Sequence, residues 1–380
     1  MIFTNNKKIN KITWGKKRVE AVYKGSDLVW PQVYLQDKYV GMVFNQNADP
    51  KNAFSTTLDN GFIPYVTERV NTYLGKCMED GTVTVIPVKT VKDLEHGSVN
   101  LYTETAQYEL YYDIPGTPKS IYSSNSTIDI LVQVPTIYYS CKEIEEDVFD
   151  LKISTYPFYG CHELFGKDHL IGCYSGERVG DKYYSDVNVS PRSTFTQIRQ
   201  SVENKGPGWY GMYTEQAGLL MMIDMCLNGV NGSAVTYNYN PWGIHNVFTN
   251  GGDGRNYFPN LVIDPETNVA TVKHLDGKVE HFDVPYIWSE YFDKLYWGEY
   301  LTMLPKSKGP KNRFYNESQT WIGNSKGIGI YTSCENGKWQ IAGDRDDSDA
   351  TGIQLRCRPC YYGKYHITHD ADYFESLPIL

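Results

Sequence analysis

"GWYGMYTEQAGLLMMIDMCLNGVNG", Gly208 to Gly232, decides how the rest of the chain is read. Its centre, Ala217 to Leu227, is the most apolar run in the sequence and holds a single carboxylate, Asp224. A membrane-spanning helix needs about 20 apolar residues; this run has 11. Thr214 is placed to cap a helix, Glu215 suits the positive end of its dipole, and Gly229 is placed to end it. A helix apolar nearly all round is buried against a sheet. The stretch therefore predicts the main core helix of a fold. Asp224 then needs a partner or a wet edge, because a buried unpaired carboxylate is costly.

Upstream, Thr194 to Asn204 predicts a second helix. Thr194 and Gln197 form a capping box, and Phe195, Ile198 and Val202 make one apolar stripe. Elsewhere strands dominate. "GTVTVIPV" (Gly81 to Val88) alternates with period two, and "TIDILVQVPTIYYSC" (Thr127 to Cys141) is a long strand run in which Pro135 implies a sheet edge or a bulge. Val66, Val70, Tyr73 and Leu74 stand at helical spacing and predict a helix there. Residues 230–360 read as irregular loops and short strands, without repeats. Two helices followed by a loop-rich β region is an α+β, β-rich order.

The first 31 residues predict a module of three short strands. Ile12 and Trp14 precede a turn; Val19, Ala21 and Tyr23 alternate; Leu28 to Trp30 close the set before Pro31. So small a module has little core and is expected to rest on another surface. The chain divides as 1–31 (β-module), 32–124 (β-rich connector), 125–360 (main domain) and 361–380 (tail).

The chain has 380 residues, 36 basic against 45 acidic, for a net charge of −9. That balance argues against nucleic acid, whose binding needs clustered Lys and Arg. The one basic cluster, Lys7 to Arg18, is short and interleaved with apolar residues. "MIFTNNKKINKITW" has no apolar h-region, so a protein made in a cytoplasm, without membrane insertion, is expected. Eight cysteines spread thinly fit reduced thiols, although Cys161 and Cys173 could pair after release from a cell. Tyrosine is the compositional outlier, at 32 residues. It suits both binding surfaces and strands, and strand residues with their hydroxyls in water account for most of it.

Five segments occur in a telling order: "DILVQVPTIYYS", "FGKDHLIGCYSG", "TFTQIRQSVENKGPGWYGMYTEQAGLLMMIDMCLNG", "YNPWG" and "WQIAGDRDDSDATGIQLRCRP". They resemble the C-type-lectin-like domain of bacteriophage fibre and receptor-binding proteins. The resemblance covers most of the chain, from about residue 1 to 360: the lectin-like domain takes 125–360, and "VEAVYKGSDLVWP" resembles a short module on virion proteins of phages of gut Bacteroidales, including crAss-like phages. It implies a non-enzymatic virion fibre, assembled in the bacterial host cytoplasm, that meets host glycan through the lectin-like domain. Residues 1–31 would attach it to other virion proteins through Trp14, Tyr23 and Trp30. A homotrimer or homodimer is expected, with the tail packed on a sister subunit. "PGWYG" departs from the pattern, in which Leu often follows the Trp. The alternatives are a purely structural head fibre or decoration protein, and a polysaccharide-degrading enzyme.

In the resembled family, ligand contacts come from the loops before the last strand. Those loops are here about Lys338 to Asp349; the aromatic candidates, in Gly/Asn-rich surroundings, are Tyr237, Tyr239, Trp242, Trp321 and Trp339, which could stack on sugar rings, with Asp344, Arg345, Asp346 and Asp347 fixing hydroxyls. Trp242 and Trp339 could equally be core. The acidic loop Asp344 to Asp349 has carboxylates at alternate positions, as a Ca²⁺ loop does, but lacks the EF-hand Gly and Glu, so a solvated loop is expected. Cys357 and Cys360, followed by His366 and His369, are spaced too tightly for a known zinc finger. "NGGDGRN" lacks the Lys-Ser/Thr ending of a phosphate loop, and neither a Gly-x-Ser-x-Gly elbow nor a singled-out carboxylate pair appears. No metal, cofactor or catalytic residue is expected.

Overall fold

Short alternating runs make most of this chain strand, and the computed structural model gathers the strands about one helix. It describes residues 12–14, 17–19, 22–24, 27–30, 39–49, 52–57, 69–91, 109–112, 127–158, 160–173, 177–185, 195–228, 254–264, 266–285, 292–308, 329–335, 338–344 and 354–378. Within these the fold is α+β and β-rich, with three helices: α1 (Phe195–Glu203), α2 (Thr214–Asn228) and α3 (Ala371–Ser376).

Two sheets carry most of the core. The first runs in the order Trp209–Gly211, Pro359–Tyr362, His169–Gly172, Asp129–Gln133, Asn71–Cys77, Val83–Val91 and Tyr365–Ile367, with Glu109–Tyr112 also paired to Val83–Val91. The second runs His162–Leu164, Ile137–Glu145, Val148–Ser154, Tyr39–Asn45 and Phe54–Thr57. Pro135 lies between Asp129–Gln133 and Ile137–Glu145, where the chain leaves the first sheet for the second. Lacking an N–H, proline cannot continue a ladder, so the long strand run breaks there. A three-stranded meander (Leu261–Asp264, Val269–Lys273, Val279–Asp283) and a hairpin (Phe292–Trp297, Met303–Lys308) follow α2.

The apolar stretch is the buried helix that its length requires. Ala217, Leu219, Leu220, Met222 and Ile223 are at most 2% exposed, in one cluster with Met42 and Leu151 of the second sheet, Ile130 and Ile171 of the first, Val272 of the meander and Leu295 of the hairpin. Burying each such Leu or Ile contributes about 1.5–3 kcal/mol. The Asp224 side chain lies outside the described residues. The cap differs from expectation. Tyr213 is the N-cap: its carbonyl accepts from Ala217 N–H, and Gln216 Oε1 reaches back to Tyr213 N–H. Thr214 is the first helical residue, and its N–H donates to Asn260 Oδ1. Of the α1 capping box, Thr194 lies outside the described residues.

Other expectations change. Asn71–Cys77 is a central strand, not a helix, paired on both sides. β-branched Thr72 and aromatic Tyr73 suit a strand, and both neighbours supply hydrogen bonds that override the short helical spacing. The N-terminal stretch forms four strands, in two hairpins Ile12–Trp14/Lys17–Val19 and Val22–Lys24/Asp27–Trp30. The divisions drawn at 124/125 and 360/361 do not separate sheets: Asn71–Cys77 pairs with Asp129–Gln133, and Pro359–Tyr362 crosses the second boundary. The tail packs on its own chain. Tyr365–Ile367 pairs with Val83–Val91, and Lys76 Nζ donates to the carbonyls of Phe374, Glu375 and Leu377 at the end of α3. Several tyrosines are core rather than surface: Tyr73, Tyr139, Tyr183, Tyr184, Tyr300 and Tyr361 are at most 5% exposed. Cys161 and Cys173 are separate free thiols.

A buried ion pair joins the turn after α1 to the first sheet. Lys205 and Asp129 are fully buried, and Lys205 Nζ also lies 3.5 Å from the Trp209 ring centroid. The other oxygen of Asp129 accepts from Ser185 N–H. Breaking such a pair leaves a charge uncompensated, so Asp129→Ala should lose about 3–5 kcal/mol in urea unfolding. Close approach of α2 to the hairpin turn is a second constraint. A Cβ on Gly218 would run into the carbonyl oxygen of Leu301. Gly218→Ala should therefore cost about 3 kcal/mol or more despite its better helix propensity, read as a lowered urea midpoint.

Candidate functional site

Where the N-terminus of α2 meets the meander and the hairpin turn, a pocket of about 440 Å³ opens. Four elements supply its polar groups: His162 from the edge strand His162–Leu164, Glu215 from the first turn of α2, His274 and Asp276 from the meander turn, and Tyr300 from the hairpin turn. Tyr138 and Tyr139 of Ile137–Glu145 form part of the wall.

Rings organise the site. Tyr300 lies between two imidazoles, 4.2 Å from the His274 centroid at 18° and 4.4 Å from His162. Its hydroxyl donates to Asp276 Oδ2 at 2.9 Å. Leu301, the next residue, has φ of 58°, an unfavourable left-handed value for leucine. The core holds it there: Leu301 is fully buried against Gly218. Thus the packing that seats α2 also sets the Tyr300 ring.

Charges are arranged in pairs. His274 is 2% exposed and lies between Glu215 Oε2 (3.4 Å) and Glu280 Oε2 (2.7 Å). Burial works against its charge, but the hydrogen bonds that its ring donates to both carboxylates outweigh it and raise its pKa from 6.5 to about 9. Glu215 is itself fixed, accepting from Leu275 N–H at 2.7 Å and from Asn260 Nδ2 at 3.1 Å. His162 behaves in the opposite way. Burial lowers its pKa despite Glu299 at 3.0 Å. At neutral pH the site therefore holds one imidazolium and one neutral imidazole, flanking a single phenol ring.

A second pocket, of about 370 Å³, is bounded by Lys142, Glu143, Tyr296, Trp297, Glu299 and Lys306 among others. Nearby, Asp147 is held by Lys294 at 2.7 Å and Lys306 at 2.6 Å. Burial opposes its charge, but these two ammonium groups keep its pKa below the ordinary 3.8.

None of the candidates drawn from the sequence is among the described residues that line either pocket. Tyr237, Tyr239, Trp242, Trp321, Arg345, Asp346 and Asp347 lie outside the described residues. Trp339 and Asp344 sit on Lys338–Asp344, opposite Cys334 and Gly329, with side chains outside the described set. Trp14 pairs with Lys17, Tyr23 with Leu28 and Trp30 with Val22, again without described side chains. Cys357 and Cys360 are buried in two different clusters, whereas His366 and His369 are exposed. Among the described residues no three His, Cys, Asp or Glu side chains are grouped to hold a metal ion, and no helix is long and apolar enough to cross a membrane. The residues that form the pocket carry no motif. Glu215 is legible only as a favourable helix-start residue, and the "HLDGK" turn (His274 to Lys278) only as a hairpin signal.

No protein-family model, curated protein or solved structure matches the chain.

The raised pKa of His274 ties stability to pH. Its contribution is full below pH 6.5 and is lost as pH rises through about 9. His274→Gln should thus melt below the parent protein at about pH 6, with the gap in Tm narrowing as pH approaches about 10. A gap constant over that range would mean the imidazole is uncharged.

Proposed function

We propose that this chain is a bacteriophage virion fibre protein that meets host surface glycan through a C-type-lectin-like domain. One observation supports this reading above the others. Three segments that carry the resemblance lie in one sheet although they span Asp129 to Gly211: "DILVQ", "HLIG" and "WYG", whereas Gln354–Arg356 of "GIQLRC" lies in a separate sheet beside Gly254–Asn256. Trp209–Gly211 leads into α2 and pairs with Pro359–Tyr362. The chain between them therefore departs from one place in the sheet and returns beside it. In the resembled family the loops before the last strand carry the ligand contacts, here about Lys338 to Asp349 with Trp339 and Asp344 to Asp347; Tyr237, Tyr239, Trp242 and Trp321 belong to the same excursion.

In this reading residues 1–31 attach the fibre to other virion proteins through Trp14, Tyr23 and Trp30, and a homotrimer or homodimer presents several weak sites at once. Linking weak sites multiplies apparent affinity without new contacts. The protein acts on the particle, after assembly in the host cytoplasm, and does no chemistry on the glycan.

Two measurements test this. Antibody raised to the chain should label a fixed position on purified virions in electron micrographs. The purified oligomer should bind a subset of bacterial surface glycans on an array and block adsorption of the phage. Labelling without glycan binding or blocking would leave a purely structural virion protein and overturn the receptor role. Absence of label from virions would overturn the setting. Release of reducing ends from a bound polysaccharide would overturn the non-enzymatic reading.

A further inference from the structure

The turn after α1 brings an amine and a carboxyl group together out of reach of water. Lys205 Nζ donates to Asp129 Oδ2 at 2.5 Å, and neither side chain has exposed surface. Adding a carbon–oxygen bond of about 1.23 Å, Nζ lies no more than about 3.8 Å from Asp129 Cγ. Reacting atoms in a near-attack arrangement stand about 3–3.5 Å apart.

The surroundings are mostly aromatic. Nζ lies 3.5 Å from the Trp209 ring centroid and 4.7 Å from that of Tyr184, and Cys77 Sγ donates to the Lys205 carbonyl. Burial lowers the pKa of Lys205 against the pull of Asp129. In such a medium an ammonium and a carboxylate are each costly, and passing one proton between them leaves a neutral amine beside a neutral carboxylic acid. The amine is then a nucleophile, which the ammonium is not. Asp129 Oδ1 accepts from Ser185 N–H at 2.8 Å. That donor would stabilise the negative charge developing on Oδ1 as Cγ becomes tetrahedral.

A second lysine–aspartate contact shows the contrast. Asp147 is held by Lys294 and Lys306, whose side chains are each 24% exposed. There attraction outweighs burial: the pKa of Lys306 is raised and that of Asp147 lowered. Those groups stay ionised.

We propose that Lys205 and Asp129 condense in the folded protein to an isopeptide bond. Nζ attacks Cγ and bonds to it, and the Cγ–Oδ2 bond breaks. Oδ2 leaves as water, carrying one proton received from the ammonium and a second from the attacking nitrogen. One hydrogen remains on Nζ, and Oδ1 becomes the amide carbonyl, still accepting from Ser185 N–H. Ammonium plus carboxylate thus give amide plus water, with no oxidant or reductant. The bond ties the turn after α1 to the strand Asp129–Gln133 across 76 residues of chain. It is independent of the virion reading, since it concerns only how the fold is fastened.

Mass spectrometry of the full-length protein, denatured, reduced and digested with trypsin, tests this. The intact chain should weigh one water less than its sequence. The digest should contain a branched peptide joining the segment with Asp129 to the segment with Lys205. Trypsin should fail to cut after Lys205 and should cut normally after Lys294 and Lys306. Lys205→Arg, whose guanidinium is not a nucleophile, should have its full sequence mass. Cleavage after Lys205, or a parent chain of full sequence mass, would overturn the proposal. So would a water loss that persists in Lys205→Arg, which would place it elsewhere, as in a succinimide at Asp276–Gly277. The peptide map is read on the parent protein and decides the matter even where Lys205→Arg does not fold.

Discussion

A helix that is apolar on every side has no face to give to water, so the rest of the chain must cover it. An amphipathic helix needs one sheet; α2 needs walls all round. Its side chains share one cluster with residues from both large sheets, the meander and the hairpin. The approach at Gly218 is close enough that backbone meets backbone. Segments distant in sequence are brought together by that single requirement, and the pocket forms where they meet at the helix N-terminus.

Ionisable groups inside this fold follow the same discipline. Lys205 is set against Asp129, His274 between Glu215 and Glu280, and Asp147 between Lys294 and Lys306. Burying an ion costs several kcal/mol, and the attraction of a partner offsets this only with good geometry and further hydrogen bonds. Those bonds are present: Ser185 N–H on Asp129, and Leu275 N–H with Asn260 on Glu215. His162 is the instructive exception. Its carboxylate partner, Glu299, is 60% exposed, so water weakens the attraction and burial wins.

The core was legible in the sequence where local signals and tertiary demand agree. The length of the apolar run, Glu215 and the stop before Gly229 sufficed to place α2 within a residue of its bounds. Val83–Val91 and the break at Pro135 were legible for the same reason. Asn71–Cys77 was not, because its four-residue spacing fits a helix and only its two strand neighbours decide otherwise. The pocket was the least legible part. His162, Glu215, His274 and Tyr300 are separated by 53, 59 and 26 residues, and no spacing rule connects side chains that meet only through the packing of four elements. The buried tyrosines show the same limit: composition cannot tell a surface phenol from one whose hydroxyl bonds inside, as Tyr183 does in accepting from Cys357 N–H.

The pairing of Trp209–Gly211 with Pro359–Tyr362 has a consequence for how such a chain can vary. The two strands meet side by side, so the chain between them closes a loop whatever its length. Loop-closure entropy grows only with the logarithm of length, about 0.6 kcal/mol for each doubling. Insertions and deletions within that excursion are therefore nearly free of thermodynamic penalty, provided the packing on α2 is kept. The frame can stay constant while the excursion is rewritten, which makes this sheet junction a natural seam for exchanging one loop repertoire for another.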